Sequence, residues 1–179
     1  MMKHVGMFLR GPRGRFVFGA LLMSALVAMP FSNRVTAQKG EVLQKGQYLT
    51  EASLRLNKLI GKAVSDGYIF EDDRCSFGGG WLNQGVNNWV KLYTLTLKGG
   101  SRYRFMASGD ADVLDLDLRV ETLDGRKVAE DVDTAPEAVV EFRPQTTQQY
   151  LVSLRLYDSK KELGQKVPCM CLAVVMIGK

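Results

Sequence analysis

Histidine is all but missing from this 179-residue chain: there is one, His4. It lies inside an N-terminal segment with the marks of an export leader, so the chain left after leader removal has none. Without an imidazole there is no Ser-His-Asp or Cys-His catalysis and no His-bearing zinc site, since each needs that ring as base or ligand. Cysteine is scarce as well, with Cys75, Cys169 and Cys171 only. Three thiolates with a C-x-C spacing do not match a structural zinc site. A P-loop is also lacking, because "FGGGWLNQG" has no Lys-Ser/Thr and opens no clear helix.

A surplus of positive charge is absent once the leader is set aside. The whole chain has 24 Lys and Arg against 19 Asp and Glu. Five of those bases (Lys3, Arg10, Arg13, Arg15, Arg34) and no acid fall within residues 1–37, so the remainder is balanced at 19 of each. The basic pI is therefore a property of the leader, and no basic stripe with interleaved aromatics remains to bind nucleic acid. Residues 1–15 are basic, residues 16–31 ("FVFGALLMSALVAMPF") are apolar, and Val35 and Ala37 are the small residues of a cleavage site. This pattern predicts a signal peptide over 1–37, cut after Ala37, and a periplasmic or extracellular protein without membrane attachment after cleavage. The alternative is a retained anchor. The apolar run has 16 residues, short of the about 20 that span a bilayer.

Export permits disulfides. Cys169 and Cys171 are two apart, so on a strand they share a face and cannot easily bond each other. The expected pair is Cys75 with Cys169 or Cys171, and the alternative is three buried thiols.

Residues 38–46 read as a polar lead-in. From Gln47 to Val64, the apolar positions Leu49, Ala52, Leu56, Leu59, Ile60 and Ala63 recur at spacings that make one stripe of an amphipathic helix, which Asp66-Gly67 ends. The expected role of that stripe is to pack on the chain's own domain, and the alternative is a helix offered to a partner. From residue 67 on, the period becomes two. Seven short runs, 89–97, 102–108, 113–120, 127–131, 138–142, 150–157 and 171–177, are rich in β-branched and aromatic residues and separated by Gly, Pro and Asp-Gly turns. The predicted fold is an all-β antiparallel sandwich of about 7–8 strands over 67–179, preceded by the lead-in and helix of 38–66.

The stretch "GDADVLDLDLRV" (109–120) concentrates four aspartates. Alternation places Leu114, Leu116, Leu118 and Val120 on one face of a strand and Asp115 and Asp117 on the other, as polar residues of a half-buried strand. Asp110 and Asp112 stand in the loop before it, and Asp131 and Asp133 form a second pair after the next strand. Calcium takes 6–8 oxygen ligands from closely spaced carboxylates and carbonyls. If the hairpin joins the two loops, Asp110, Asp112, Asp131 and Asp133 are candidate calcium ligands; otherwise they are turn formers bonded to nearby backbone. The same four are the candidates for carboxylate-dependent hydrolysis. Trp81 and Trp89 flank the amide-rich "LNQGVNN", a candidate sugar-binding surface whose alternative is burial in the core.

The order of "RYRFMASGD", "GDADVLDLDLRVETLDGRKVAED" and "TAPEAVVEFRPQTTQQYLVSLRLY" resembles the bacterial pre-peptidase C-terminal (PPC) domain over residues 89–177. The matching features are Tyr103 and Phe105, Gly109-Asp110, Asp115 to Leu118, Asp124-Gly125, Val140 to Pro144, and Tyr150 to Leu156. Gln148 and Gln149 stand where the family has a Gly-x-Tyr turn. The resemblance implies a jelly-roll-like β-sandwich that accompanies secreted enzymes in binding, folding or secretion, without being a catalyst, and some relatives bind calcium. The expectation is an exported, non-catalytic binding module for a protein or a cell-surface polysaccharide. A calcium-stabilised carbohydrate- or cell-wall-binding module is the second reading, and a carboxylate hydrolase the third.

Overall fold

In the computed structural model, residues 32–71, 76–85, 87–160 and 168–179 are described, with 32–45 as backbone alone. One helix, α1 (Ser32–Ser65), precedes β1 (Tyr68–Ile69), β2 (Phe77–Leu82), β3 (Val90–Leu97), β4 (Tyr103–Gly109), β5 (Val113–Thr122), β6 (Lys127–Asp131), β7 (Glu137–Phe142), β8 (Gln148–Ser159) and β9 (Cys169–Gly178). One sheet runs β1-β9-β4-β7, with β2 also paired to β9; the other runs β3-β8-β5-β6. All these pairings are antiparallel. The protein is a two-sheet β-sandwich with an N-terminal helix, as the alternating runs predict.

The core between the sheets takes the inward residues of both, among them Phe105, Leu116, Leu118, Val120, Val152, Leu154 and Leu156. In β9, Cys169, Cys171, Ala173 and Val175 face this core, whereas Leu172, Val174 and Met176 join Met106 beneath the helix. Both faces of β9 are thus covered, which is why its sequence reads as a continuous apolar run instead of an alternating one. The helix places Ala52, Leu56 and Ala63 on that second cluster, with Leu59 and Ile60 partly buried beside them. Full burial of Leu56 alone is worth about 2 kcal/mol. Leu49, expected in the same stripe, is 45% exposed instead, one turn beyond the edge of the contact.

The helix is longer than its apolar stripe predicts. It includes the residues 38–46 expected as a lead-in and spans 34 residues, about 51 Å at 1.5 Å each. Among the described residues, its contact cluster runs from Ala52 to Ala63. It ends where the Asp66 N–H bonds back to Lys62 O and Gly67 takes φ 85°.

The strand β2 was not legible in "FGGGWL". Glycine weakens strand propensity, but here the backbones approach too closely for side chains. A Cβ on Gly79 would lie 2.2 Å from Cys171 O, and one on Gly78 would lie 2.6 Å from the Tyr93 ring.

Candidate functional site

The four aspartates of 109–120 and the pair at 131 and 133 fall into three separate settings. Asp110 is fully buried. Its Oδ1 accepts the Asp112 N–H at 2.9 Å and its Oδ2 accepts the Met170 N–H at 2.6 Å. Its own N–H donates to Met170 O. The residue thus clasps the start of β9 onto the corner between β4 and β5. Burial pushes its carboxyl above the ordinary range, opposed by the two backbone hydrogen bonds and assisted by Asp112 and Glu51. The helix docks on the same corner: Arg55 Nη1 donates to Asp110 O at 2.9 Å, the Ala111 N–H donates to Glu51 Oε2, and Ser108 Oγ donates to Ala52 O. Asp112 remains partly exposed, 3.7 Å from Lys160 Nζ.

Asp131 lies opposite Leu118, midway along β5, not at the Asp110 corner. Its Oδ1 accepts the Asp133 N–H and its Oδ2 accepts the Val139 N–H at 2.7 Å, a turn closure that also ties β6 to β7. The hairpin therefore does not bring Asp110, Asp112, Asp131 and Asp133 into one oxygen-rich pocket. Among the described residues, no group of three or more His, Cys, Asp or Glu is arranged to hold a metal ion. The alternative reading of these residues, as turn formers, fits Asp110 and Asp131.

Asp115 and Asp117 depart from the expected solvated face. Asp117 is 1% exposed and paired to Arg155, whose Nε lies 2.5 Å from Oδ2. Burial still keeps its carboxyl above the ordinary range despite that arginine. Asp115 is 6% exposed, and its Oδ1 has no hydrogen-bond partner. Burial and then the nearby Asp117 push its carboxyl up, Asp158 and Asp131 add to this, and Arg155 opposes them. The register slips on either side of Asp115, a bulge that turns Leu114 out to 43% exposure and leaves Val113 in the core. Leu114 is thus a correction to the simple alternation.

The outer face of the four-stranded sheet is held by a charged and aromatic ladder. The Arg119 guanidinium lies 3.8 Å from the Trp89 ring centre, and Arg155 is 4.7 Å from the same ring and 5.0 Å from Tyr157. Arg119 also pairs with Glu130. Burial would raise the Glu130 carboxyl, but Lys127 and Arg119 outweigh it and hold the group below the ordinary range. Trp81 is elsewhere. It lies opposite Met170 on the helix side of the other sheet, 40% exposed, with its ring edge-on to Tyr48 at 5.7 Å. The two tryptophans are therefore on opposite outer faces and form no common platform.

Cys169 and Cys171 share the inner face of β9 and are both buried. Burial pushes the Cys169 thiol up to about 12 and Cys171 higher still. Cys75, the other member of the expected disulfide, lies outside the described residues.

No family model matches the chain, and no curated protein matches it. Among solved structures it is similar to the Glycosylation Associate Protein (Gap123) complex from Streptococcus agalactiae. The identity is 16% over 62% of this chain and 43% of that chain, with a TM-score of 0.28. This chain thus spans less than half the length of that neighbour, and the likeness is too slight to carry fold or function across.

Proposed function

We propose that the protein is an exported, non-catalytic binding module of PPC type, serving association with a protein or with the cell surface. The observation that carries this reading is the engagement of the carboxylates by the protein's own groups. Asp110 and Asp131 each hold two backbone N–H groups, and Asp117 is neutralised by Arg155. A hydrolytic pair needs two carboxyl groups facing each other across roughly 5 to 10 Å of open cleft, whereas Asp110 and Asp131 stand at different places on the sandwich with both oxygens on backbone N–H groups, and Asp117 is buried against Arg155. The leader supports export, and the six ordered features shared with the PPC domain support an accessory role.

Fractionation of the source cells followed by N-terminal sequencing tests the export half. A mature form beginning at Gln38 in the periplasm or medium is expected, and a full-length cytoplasmic protein would overturn it. Co-sedimentation with isolated cell-surface polysaccharide, or co-purification with a secreted protein, tests the binding half. Polysaccharide turnover that disappears in Asp112→Asn or Asp133→Asn would instead establish an enzyme.

A further inference from the structure

At the end of β5 remote from Asp110, the turn at 123–126 faces the β7–β8 connection at 143–147, and between them lies a cleft of about 400 Å³. That volume is in the range of small-ligand sites, roughly 300 to 1,000 Å³. Arg126, Lys127 and Arg143 line it, with no Asp or Glu among its lining residues. Asp124 lines the adjoining hollow, where its carboxylate accepts the Thr122 hydroxyl. Lys127 pairs with Glu130, but the Arg126 side chain has no hydrogen bond or ion pair among the described residues. In a chain whose charge is balanced beyond residue 37, the guanidiniums of Arg126 and Arg143 on a cleft with no acid in its lining make a local anion site.

The cleft is also stiff and rich in donors. Arg143 Nε donates to Gly100 O at 2.7 Å, the Gly100 N–H to Pro144 O at 2.7 Å, and the Gly99 N–H to Thr147 Oγ1 at 2.9 Å. These bonds pin the β7–β8 connection and leave the other N–H groups of Arg143 for the cleft. Tyr150 has a buried ring whose hydroxyl accepts Gln148 Nε2 at 2.8 Å and donates to no described atom. Phe142, edge-on to Tyr150 at 5.2 Å and half-buried, supplies an apolar wall. Two guanidiniums suit an oxyanion, and an apolar wall beside amide and hydroxyl donors suits the ring and hydroxyls of a sugar.

We propose that this cleft binds an anionic saccharide unit, a sugar ring bearing a carboxylate or a phosphate, with Arg126 and Arg143 on the oxyanion and the ring against Phe142. The assignment rests on the reading of the protein as an exported binding module. Titration followed by NMR, with glucuronate, glucose 6-phosphate, glucose and inorganic phosphate as probes, tests it. At least one charged sugar is expected to bind about tenfold tighter than glucose and than inorganic phosphate, and the tighter of the two identifies the source of the charge. Arg126→Gln and Arg143→Gln are each expected to weaken that binding about tenfold, the scale of one charge-assisted hydrogen bond. Arg126→Gln breaks no described hydrogen bond or ion pair, and beyond the cleft it removes only the attraction that, after the Thr122 hydroxyl, helps hold the Asp124 carboxyl below the ordinary range.

Equal affinity for glucose and the charged sugars, phosphate binding as tight as glucose 6-phosphate, or full affinity in the double variant would each overturn the proposal. So would the absence of saturable binding. If the charged sugars fail while the protein still co-sediments with polysaccharide or a secreted partner, the cleft assignment falls and the module reading stands; if both fail, both fall.

Discussion

Asp115 and Asp117 are two positions apart on one strand and burial raises both carboxyls, yet only one of them has a cation against it. Asp117 has Arg155 against it, and Asp115 has a buried oxygen with no partner and Asp117, Asp158 and Asp131 near enough to raise its carboxyl. Replacing Asp115 by Asn removes the buried charge and offers amide donors to an acidic surrounding. We expect Asp115→Asn to stabilise the fold at pH 7 by about 1 kcal/mol, the scale of one unmet buried polar group. A folded-state pKa above the unfolded one means that the folded protein holds the proton more tightly, so this group opposes folding once it ionises. Its cost is absent below the ordinary carboxylate range and grows as pH rises through the raised value. The advantage of Asp115→Asn in thermal melts should therefore shrink toward zero in acid; an advantage that persists unchanged at pH 3 would refute the account. Asp110→Ala should do the reverse. It strands the partly buried Met170 N–H and the Asp112 N–H, with a loss of about 1 to 3 kcal/mol by denaturant titration. A loss under 0.5 kcal/mol would show that water replaces the carboxylate.

At the scale of elements, the helix and β2 are the parts whose place the sequence left open. β2 holds to β9 along six residue pairs only because glycine lets the backbones meet. Gly79→Ala would put a methyl into Cys171 O, so we expect a melting temperature several degrees lower and loss of amide-exchange protection confined first to β2. Protection unchanged across residues 77–82 would be the opposing result. Leu56→Ala removes a core residue of the helix contact and should cost about 2 to 4 kcal/mol, read as faster exchange in residues 52–63 with the inter-sheet core still protected. If the core loosens equally, the helix is not a separable layer.

At the scale of the molecule, the placement of the acids bears on calcium. Asp110 and Asp131 have both oxygens engaged with backbone and stand at different places on the sandwich. Millimolar calcium is accordingly expected to leave the melting temperature within 1 °C of its calcium-free value, because only an ion that binds the folded state more tightly than the unfolded one stabilises it, by about 2.7 kcal/mol at a hundred times its Kd. A rise of several degrees would show that other oxygens complete a site.

The sequence by itself determined the class of fold, the strands from Val90 onward and the presence of an amphipathic helix over residues 47–64, because a period of two or of 3.6 is written in local composition and needs only burial of one face to be realised. It also determined that no imidazole chemistry is open to the chain beyond residue 37. It placed Asp110 and Asp112 in a turn and Asp115 and Asp117 on the outer side of β5, but it could not say what meets them there. That depended on residues far along the chain: Met170 and Arg55 at the Asp110 corner, and Arg155 beside Asp117. Hydrogen-bond partners 38 to 60 residues away leave no local periodicity. Only the tertiary structure decided that Asp110 and Asp117 are fastened into the scaffold and that Arg126, Lys127 and Arg143 meet around one cleft between residues 123–126 and 143–147.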